Sequence, residues 1–148
     1  MAAEKKEFNP EQVMNGTWGE VWFDNEYLAQ VISFKAEITH KTTSVTRVQK
    51  LMDGQKLTGL EAKGEVKLHH INSHIMKKMS DSLKQGKLPK VAITASLNDP
   101  EAKGIENVAF TGCKLDKTIL MDWEAGKNCE ESYSFTFEDW TINNSVSA

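Results

Sequence analysis

Three histidines, His69, His70 and His74, form an H-H-x-x-x-H run. On a helix beginning at His70, that residue and His74 would stand at i and i+4 and share a metal ion. No Glu follows in the metalloprotease pattern, and no third ligand stands near. Asn72 reads as a helix cap, which leaves His70 outside the helix. The run therefore reads as surface histidines at a strand-to-helix junction, and no metal is expected. Cys113 and Cys129 lack a C-x-x-C spacing. Cys113 lies on an apolar strand face and reads as a small core residue. The carboxylate pairs Glu130-Glu131 and Glu138-Asp139 lie on or beside a strand whose aromatic parity accounts for them. They read as solvated or interface groups, not as an acid–base pair. The chain has no G-x-S-x-G, no P-loop and no G-x-G-x-x-G. No catalytic residue and no cofactor are expected, and the chain is not expected to be an enzyme.

Composition narrows the class further. The 148 residues suit one domain and suffice to bury a core without staples. Apolar residues make up 39% and charged residues 26%, an ordinary globular balance. Eighteen basic and 21 acidic side chains leave a net charge of −3, which gives no basic footprint for nucleic acid. No apolar run approaches the ~20 residues of a membrane-spanning helix. The start has no apolar signal core, so reduced thiols and a cytoplasmic setting are the expectation.

The elements that would position any site are mostly strands. Residues 1–15 read as an arm or short helix started at Asn9-Pro10, and 143–148 as a frayed tail. Trp18 to Phe23 and Tyr27 to His40 read as a hairpin about Asp24-Asn25-Glu26, with Leu28, Ile32, Phe34, Ala36 and Ile38 on its buried face. Trp18, Trp22 and Phe23 crowd one short strand on both faces, a candidate for burial between chains. Residues 41–58 break the alternation and read as a long ordered loop with Asp53-Gly54 as its turn. Leu60 to His70 alternates again, with Glu61, Lys63, Glu65 and Lys67 as a charged ladder. Asn72 to Gly86 reads as the one helix, with Ile71, Ile75, Met76, Met79 and Leu83 in an apolar stripe. Strands follow over Lys90–Leu97 and Val108–Trp123, where a parity switch at Gly112 predicts a bulge. The last strand carries Tyr133, Phe135 and Phe137, then bends near Glu138-Asp139 to place Trp140 and Ile142. The sum is a mainly β fold: an antiparallel barrel or sandwich of six to seven strands with one flanking helix over 72–86.

The segment order and several local wordings resemble a known family. They are TWGEVWFDNEYLAQV, then KLMDGQKLTG, then a charged strand, then SHIMKKMSDSLKQG, and finally SFTFEDW. From Gly16 to Trp140 the chain resembles the tail tube protein of contractile-tailed phages, defective prophages and phage-tail-like bacteriocins. The resemblance implies a tube-forming domain over 16–142. Six subunits would form a ring, and rings would stack into a hollow tube. The long loop would reach neighbouring subunits and rings. Carried onto this chain, its contacts would include Lys41, Thr42, Thr43, Arg47, Gln49, Lys50, Leu51, Met52 and Asp53, with Leu51 and Met52 as apolar anchors. Phe8 and Trp140 would add contacts from the terminal arms. Glu61 and Glu65 would face the lumen, where acidic groups repel phosphate.

The implied partners are further copies of the chain, the tail sheath protein, the tape-measure and baseplate hub proteins and a tube terminator. DNA would pass only in a true phage. Assembly would occur in the host bacterial cytoplasm, and the product would be a virion tail or a bacteriocin particle. The competing readings are a type VI secretion-like tube, a small-ligand-binding β-barrel and a metal enzyme on the histidine run. Large inward side chains argue against the ligand barrel, because they would fill it.

Overall fold

The computed structural model describes residues 7–71 and 73–146. The expected Asn72 cap, the first six residues of the arm and the end of the tail lie outside the described residues. After two short 3-10 turns at Pro10–Gln12 and Gly16–Trp18, eight antiparallel strands and one α-helix carry the fold among the described residues. They are β1 (Gly19–Phe23), β2 (Glu26–Tyr27), β3 (Val31–Val45), β4 (Gly54–His69), α1 (His74–Lys84), β5 (Val91–Leu97), β6 (Glu106–Leu115), β7 (Glu130–Thr136) and β8 (Asp139–Asn144). The sheet runs β2-β1-β5-β6-β7-β4-β3, and β8 pairs with β6 off this path. It folds over on itself like a sandwich and does not close into a barrel, so β2 and β3 are its two ends.

The fold-over happens at β6. Its first half pairs with β5 and β8, while Lys114 and Leu115 pair with β7. Between these halves Val91 pairs with Cys113 and Ile93 with Phe110, so β6 carries one extra residue. This is the bulge expected at Gly112. Its φ of +66° suits glycine, and a Cβ there would stand 2.9 Å from Cβ of Glu138. Glu138 marks the second expected bend, where β7 ends and β8 begins. Two corners are thus stacked, and β6 and the β7–β8 junction change layer at one place.

The core lies between the layers. Phe110 and Phe137 meet edge-on at 4.8 Å, and Phe34 stands 5.8 Å from Phe110 and 5.9 Å from Phe135. Tyr133, Phe135, Leu68, Ile93 and Cys113 are fully buried. The helix contributes Ile75 and Met79 to the core; Leu83 is exposed, and Ile71 is exposed and precedes the helix. It is also held by charge. Lys78 Nζ lies 2.6 Å from Asp24 Oδ2 and 5.4 Å from the centre of the Phe23 ring. Burial opposes charge on Asp24, but the Ala92 N–H and the Lys78 ammonium outweigh it and hold the carboxyl below its usual range.

Four expectations about elements need correction. The return strand from Tyr27 to His40 is broken: β2 ends at Tyr27, Leu28 is buried, and β3 pairs with β4 at the other end of the sheet. Ile32 leaves the buried face because β3 bulges there, with Val31 paired to Leu68 and Ser33 to Lys67. The strand expected to reach Trp123 stops at Leu115; the Asp116 N–H still donates to the Ser134 carbonyl of β7 at 3.0 Å, and no ladder pairing follows it. The expected tail is partly strand, since Asn144 pairs with Asn107.

Candidate assembly surfaces

Residues 41–58 are largely strand, contrary to the expected loop. Pairing between β3 and β4 continues from Lys41 opposite Gly59 to Val45 opposite Gly54, which leaves only residues 46–53 as the connection. The β-branched Thr42, Thr43 and Val45 favour an extended backbone even without a buried face. One extra residue, Thr58, bulges from β4, and its hydroxyl donates to the Lys41 carbonyl at 3.0 Å. Gln55 Nε2 donates to Ser44 Oγ at 3.1 Å across the pair.

This hairpin outruns the body. Pairing of β4 with β7 ends at Lys63 opposite Thr136, so from Thr39 and Glu61 outward the two strands have only each other. The overhang from Thr39 to Val45 is about 20 Å at ~3.3 Å per residue. An isolated two-stranded hairpin is marginal in water, so a covering partner would stabilise it.

The tip is ordered and apolar. Lys50 N–H donates to the Arg47 carbonyl at 3.3 Å, and Arg47 Nη2 donates to the Met52 carbonyl at 3.2 Å. Gln49 takes a left-handed φ of +61° to close the turn. Val48, Leu51 and Met52 are almost wholly exposed, and Lys41, Thr42, Thr43, Gln49, Lys50 and Asp53 are exposed beside them. The structure thus brings together on one arm the nine residues expected in the loop. Phe8 and Trp140 are exposed elsewhere, Phe8 before the Pro10–Gln12 turn and Trp140 on β8.

Glu61 and Glu65 lie on one face of β4, with Lys63 between them and Lys67 beyond Glu65. The face is a checkerboard. Lys35 stands opposite Glu65 and Glu37 opposite Lys63. Lys63 Nζ lies 2.9 Å from Glu61, Lys35 Nζ 3.5 Å from Glu37 and Lys67 Nζ 3.0 Å from Glu130. The hydrogen bond and charge of Lys63 hold the Glu61 carboxyl below its usual range. Three lysines against Glu37, Glu61, Glu65 and Glu130 leave one net negative charge on this face.

The remaining candidates for chemistry do not converge. Among the described residues no three His, Cys, Asp or Glu side chains are grouped for a metal. His70 lies before the helix, and its Nδ1 is 2.6 Å from Oε1 of the buried Glu131. His69 is exposed on β4. Cys113 is buried, and burial pushes its thiol up to about 11. Sequence reasoning missed one exposed group, Leu120, Met121 and Trp123, by placing it on a continuing strand. The signal was the adjacency of Leu120 and Met121, which breaks period two.

A folded-over antiparallel sheet, one docked helix and a long hairpin with an exposed tip define the class of fold. The chain belongs to the phage tail tube protein family, whose sequence model matches residues 6–143. A relative is the phage-like element PBSX protein XkdM of Bacillus subtilis, 25% identical over 139 residues, which are 93% of this chain and 95% of XkdM. Its fold is shared with the anti-feeding prophage tube-terminating cap, at a TM-score of 0.72 and 10% identity over 98% of this chain and 100% of the other. It is also shared with a chain of the sheath-tube complex of an extracellular contractile injection system, PVC, at 0.70 and 10% identity over 90% and 93%.

Proposed function

We propose that this chain builds a tail tube by repeated self-contact: six copies close head-to-tail into a ring, and rings stack into a hollow conduit inside a contractile sheath. The observation that carries this reading is the arm. A body with its own core extends a paired but uncovered hairpin over residues 39–61, tipped by Val48, Leu51 and Met52. Such exposure is a liability in a monomer and a resource in an assembly. A contact between different patches of the same chain propagates, closing where the rotation closes and growing where it does not. The contacting residues are Lys41, Thr42, Thr43, Arg47, Gln49, Lys50, Leu51, Met52 and Asp53, with Phe8 and Trp140 adding terminal contacts.

The checkerboard face carrying Glu61 and Glu65 faces the lumen in this reading. Near-neutral and well paired, it neither grips nor strongly repels a passing polyanion. The sheath-tube complex and the terminating cap among its fold neighbours support a sheath and a terminator as partners. The tape-measure and baseplate hub proteins complete the set, and assembly takes place in the bacterial cytoplasm before the particle is released.

Negative-stain electron microscopy of concentrated protein tests the reading. Wild type gives rings or hollow tubes of uniform width, and the Leu51→Asp/Met52→Asp variant gives none. Rings that persist unchanged in the variant would remove the arm from the contact.

A further inference from the structure

The arm needs a receptor, and the body offers one. Between β1, β5 and the start of β6 on one side and the start of β3 on the other, the folded sheet leaves an open groove of about 720 Å³. Phe34 and Phe110, 5.8 Å apart, form its floor, and Leu97 and Val108 line its walls. The charged side chains on its lining are both acidic, Glu20 and Glu106. Neither has an ion-pair partner among the described residues.

The tip has the complementary character. Between His40 and Leu60 the chain carries Lys41, Arg47, Lys50 and Lys56 against Asp53, a net of +3. The whole chain is −3, so the remainder is −6. Charge is therefore segregated between arm and body. Leu51 and Met52 supply the apolar part, and the Arg47 bond to the Met52 carbonyl pre-shapes the tip. The tip cannot reach its own groove. Ala36 lines the groove, and Thr46 lies ten residues farther along the same hairpin, about 33 Å away.

We propose that this groove is the socket for the hairpin tip of a second copy, with Leu51 and Met52 seated against Phe34 and Phe110 and with Arg47 and Lys50 meeting Glu20 and Glu106. The proposal rests on the self-assembly reading and specifies which two surfaces meet. Tip and socket are different patches, so the contact is heterologous and leaves one copy with a free socket and the other with a free tip. Apolar contact holds the joint, while the opposite charges set its register and speed the encounter.

Cross-linking and charge exchange test the socket. In a Cys129→Ser background, Met52→Cys chains are mixed with Ser33→Cys chains at a concentration where wild type assembles, and thiols are oxidised mildly. A mixed dimer forms on a non-reducing gel, and it forms at least about tenfold faster than with Lys84→Cys, a position on the helix away from the groove. Separately, Lys50→Glu weakens assembly about tenfold in sedimentation, and Glu106→Lys in the same chain restores it. If wild type assembles and Leu51→Asp/Met52→Asp does not, yet Ser33→Cys cross-links no faster than Lys84→Cys, the tip docks elsewhere: the socket is wrong and the self-assembly reading stands. If wild type does not assemble, and the Met52→Cys and Ser33→Cys chains do not cross-link at any concentration, both are overturned.

Discussion

The body and the arm are made of the same two strands, β3 and β4, yet they obey different rules. From Val31 to Ile38 the hairpin lies under the fold: Phe34 packs on Phe110 and Phe135, and Val66 and Leu68 are buried opposite. Beyond Thr39 and Glu61 the ladder continues, but no layer covers it. In the body, alternation exists because one face is dry. In the arm, both faces are wet and the apolar residues collect at the tip. The difference teaches that strand formation and core formation are separable here. Backbone pairing is carried outward by β-branched residues, and burial is left for another chain to complete.

The sharpest way to break the body alone is at Phe135. It is fully buried in the aromatic cluster and packs across Gly64. Phe135→Ala should cost about 3–5 kcal/mol, seen as a large fall in the urea midpoint, because the site cannot collapse around the lost ring. A loss below about 1 kcal/mol would mean that the layers close independently of this cluster. Next in size is Gly64→Val. A Cβ at Gly64 would stand 2.3 Å from Cζ of Phe135, and the ring is wedged among buried neighbours. The expected cost is about 1–3 kcal/mol from overpacking. In the double variant Gly64→Val/Phe135→Ala the new methyls would enter space the ring has left, so the two costs should not add.

A smaller effect depends on pH. Burial pushes the Cys113 thiol from 9.0 up to about 11. The folded value is raised, so this group's contribution to stability is fully present below pH 9.0 and is lost as pH rises through about 11. The difference in urea midpoint between wild type and Cys113→Ala should therefore shrink over that window and stay constant below it. A difference that ignores pH would show that solvent reaches the thiol in the folded chain. No thiol of this kind exists on the arm, so the effect belongs to the body.

Which parts of this were legible in the sequence follows from where partners lie. Leu60 to His70 was readable because its alternation reports a face that is in fact dry, down to Leu68. Gly112 was readable because a bulge must change parity, and Phe110 and Cys113 record the change. The helix was readable from Ile75 and Met79, although Ile71 and Leu83 prolonged the stripe past the buried contact. The arm was misread as a loop because Thr42 to Val45 and Gln55 to Thr58 have no dry face to report. Ile119, Met121 and Trp123 mislead in the opposite way: they alternate, but they form no ladder with a neighbouring strand. Sheet order was not readable, since β1 choosing β5 and β3 leaving for the far end are decided by distant residues. The contact residues on the arm came from resemblance, and the groove that faces them in the proposal had no local signature, because its lining is drawn from four strands and the turn before β1.

The smallest expected change in stability is the most informative, because it removes the arm altogether. Lys41 pairs with Gly59, so residues 42–58 can be replaced by Asn-Gly, the two-residue connection that matches strand twist. None of the deleted residues is buried, and the described contacts within the segment are with the arm itself. The shorter connection also lowers the entropy cost of closing the hairpin. The trimmed chain should unfold within about 1 kcal/mol of wild type when both are dilute and monomeric. At high concentration it should give no rings. Its socket stays open, so added wild-type chain should be able to seat a tip in it, and the trimmed chain should then act as a terminator that shortens wild-type assemblies in proportion to its share. A large loss of stability would show that the arm supports the body and that the separation between the two regions is false. Trimmed chains that leave wild-type assembly length untouched would show that the receptor for the tip is not on the body, which is the one outcome that breaks the pairing of arm and groove while leaving each region's own physics intact.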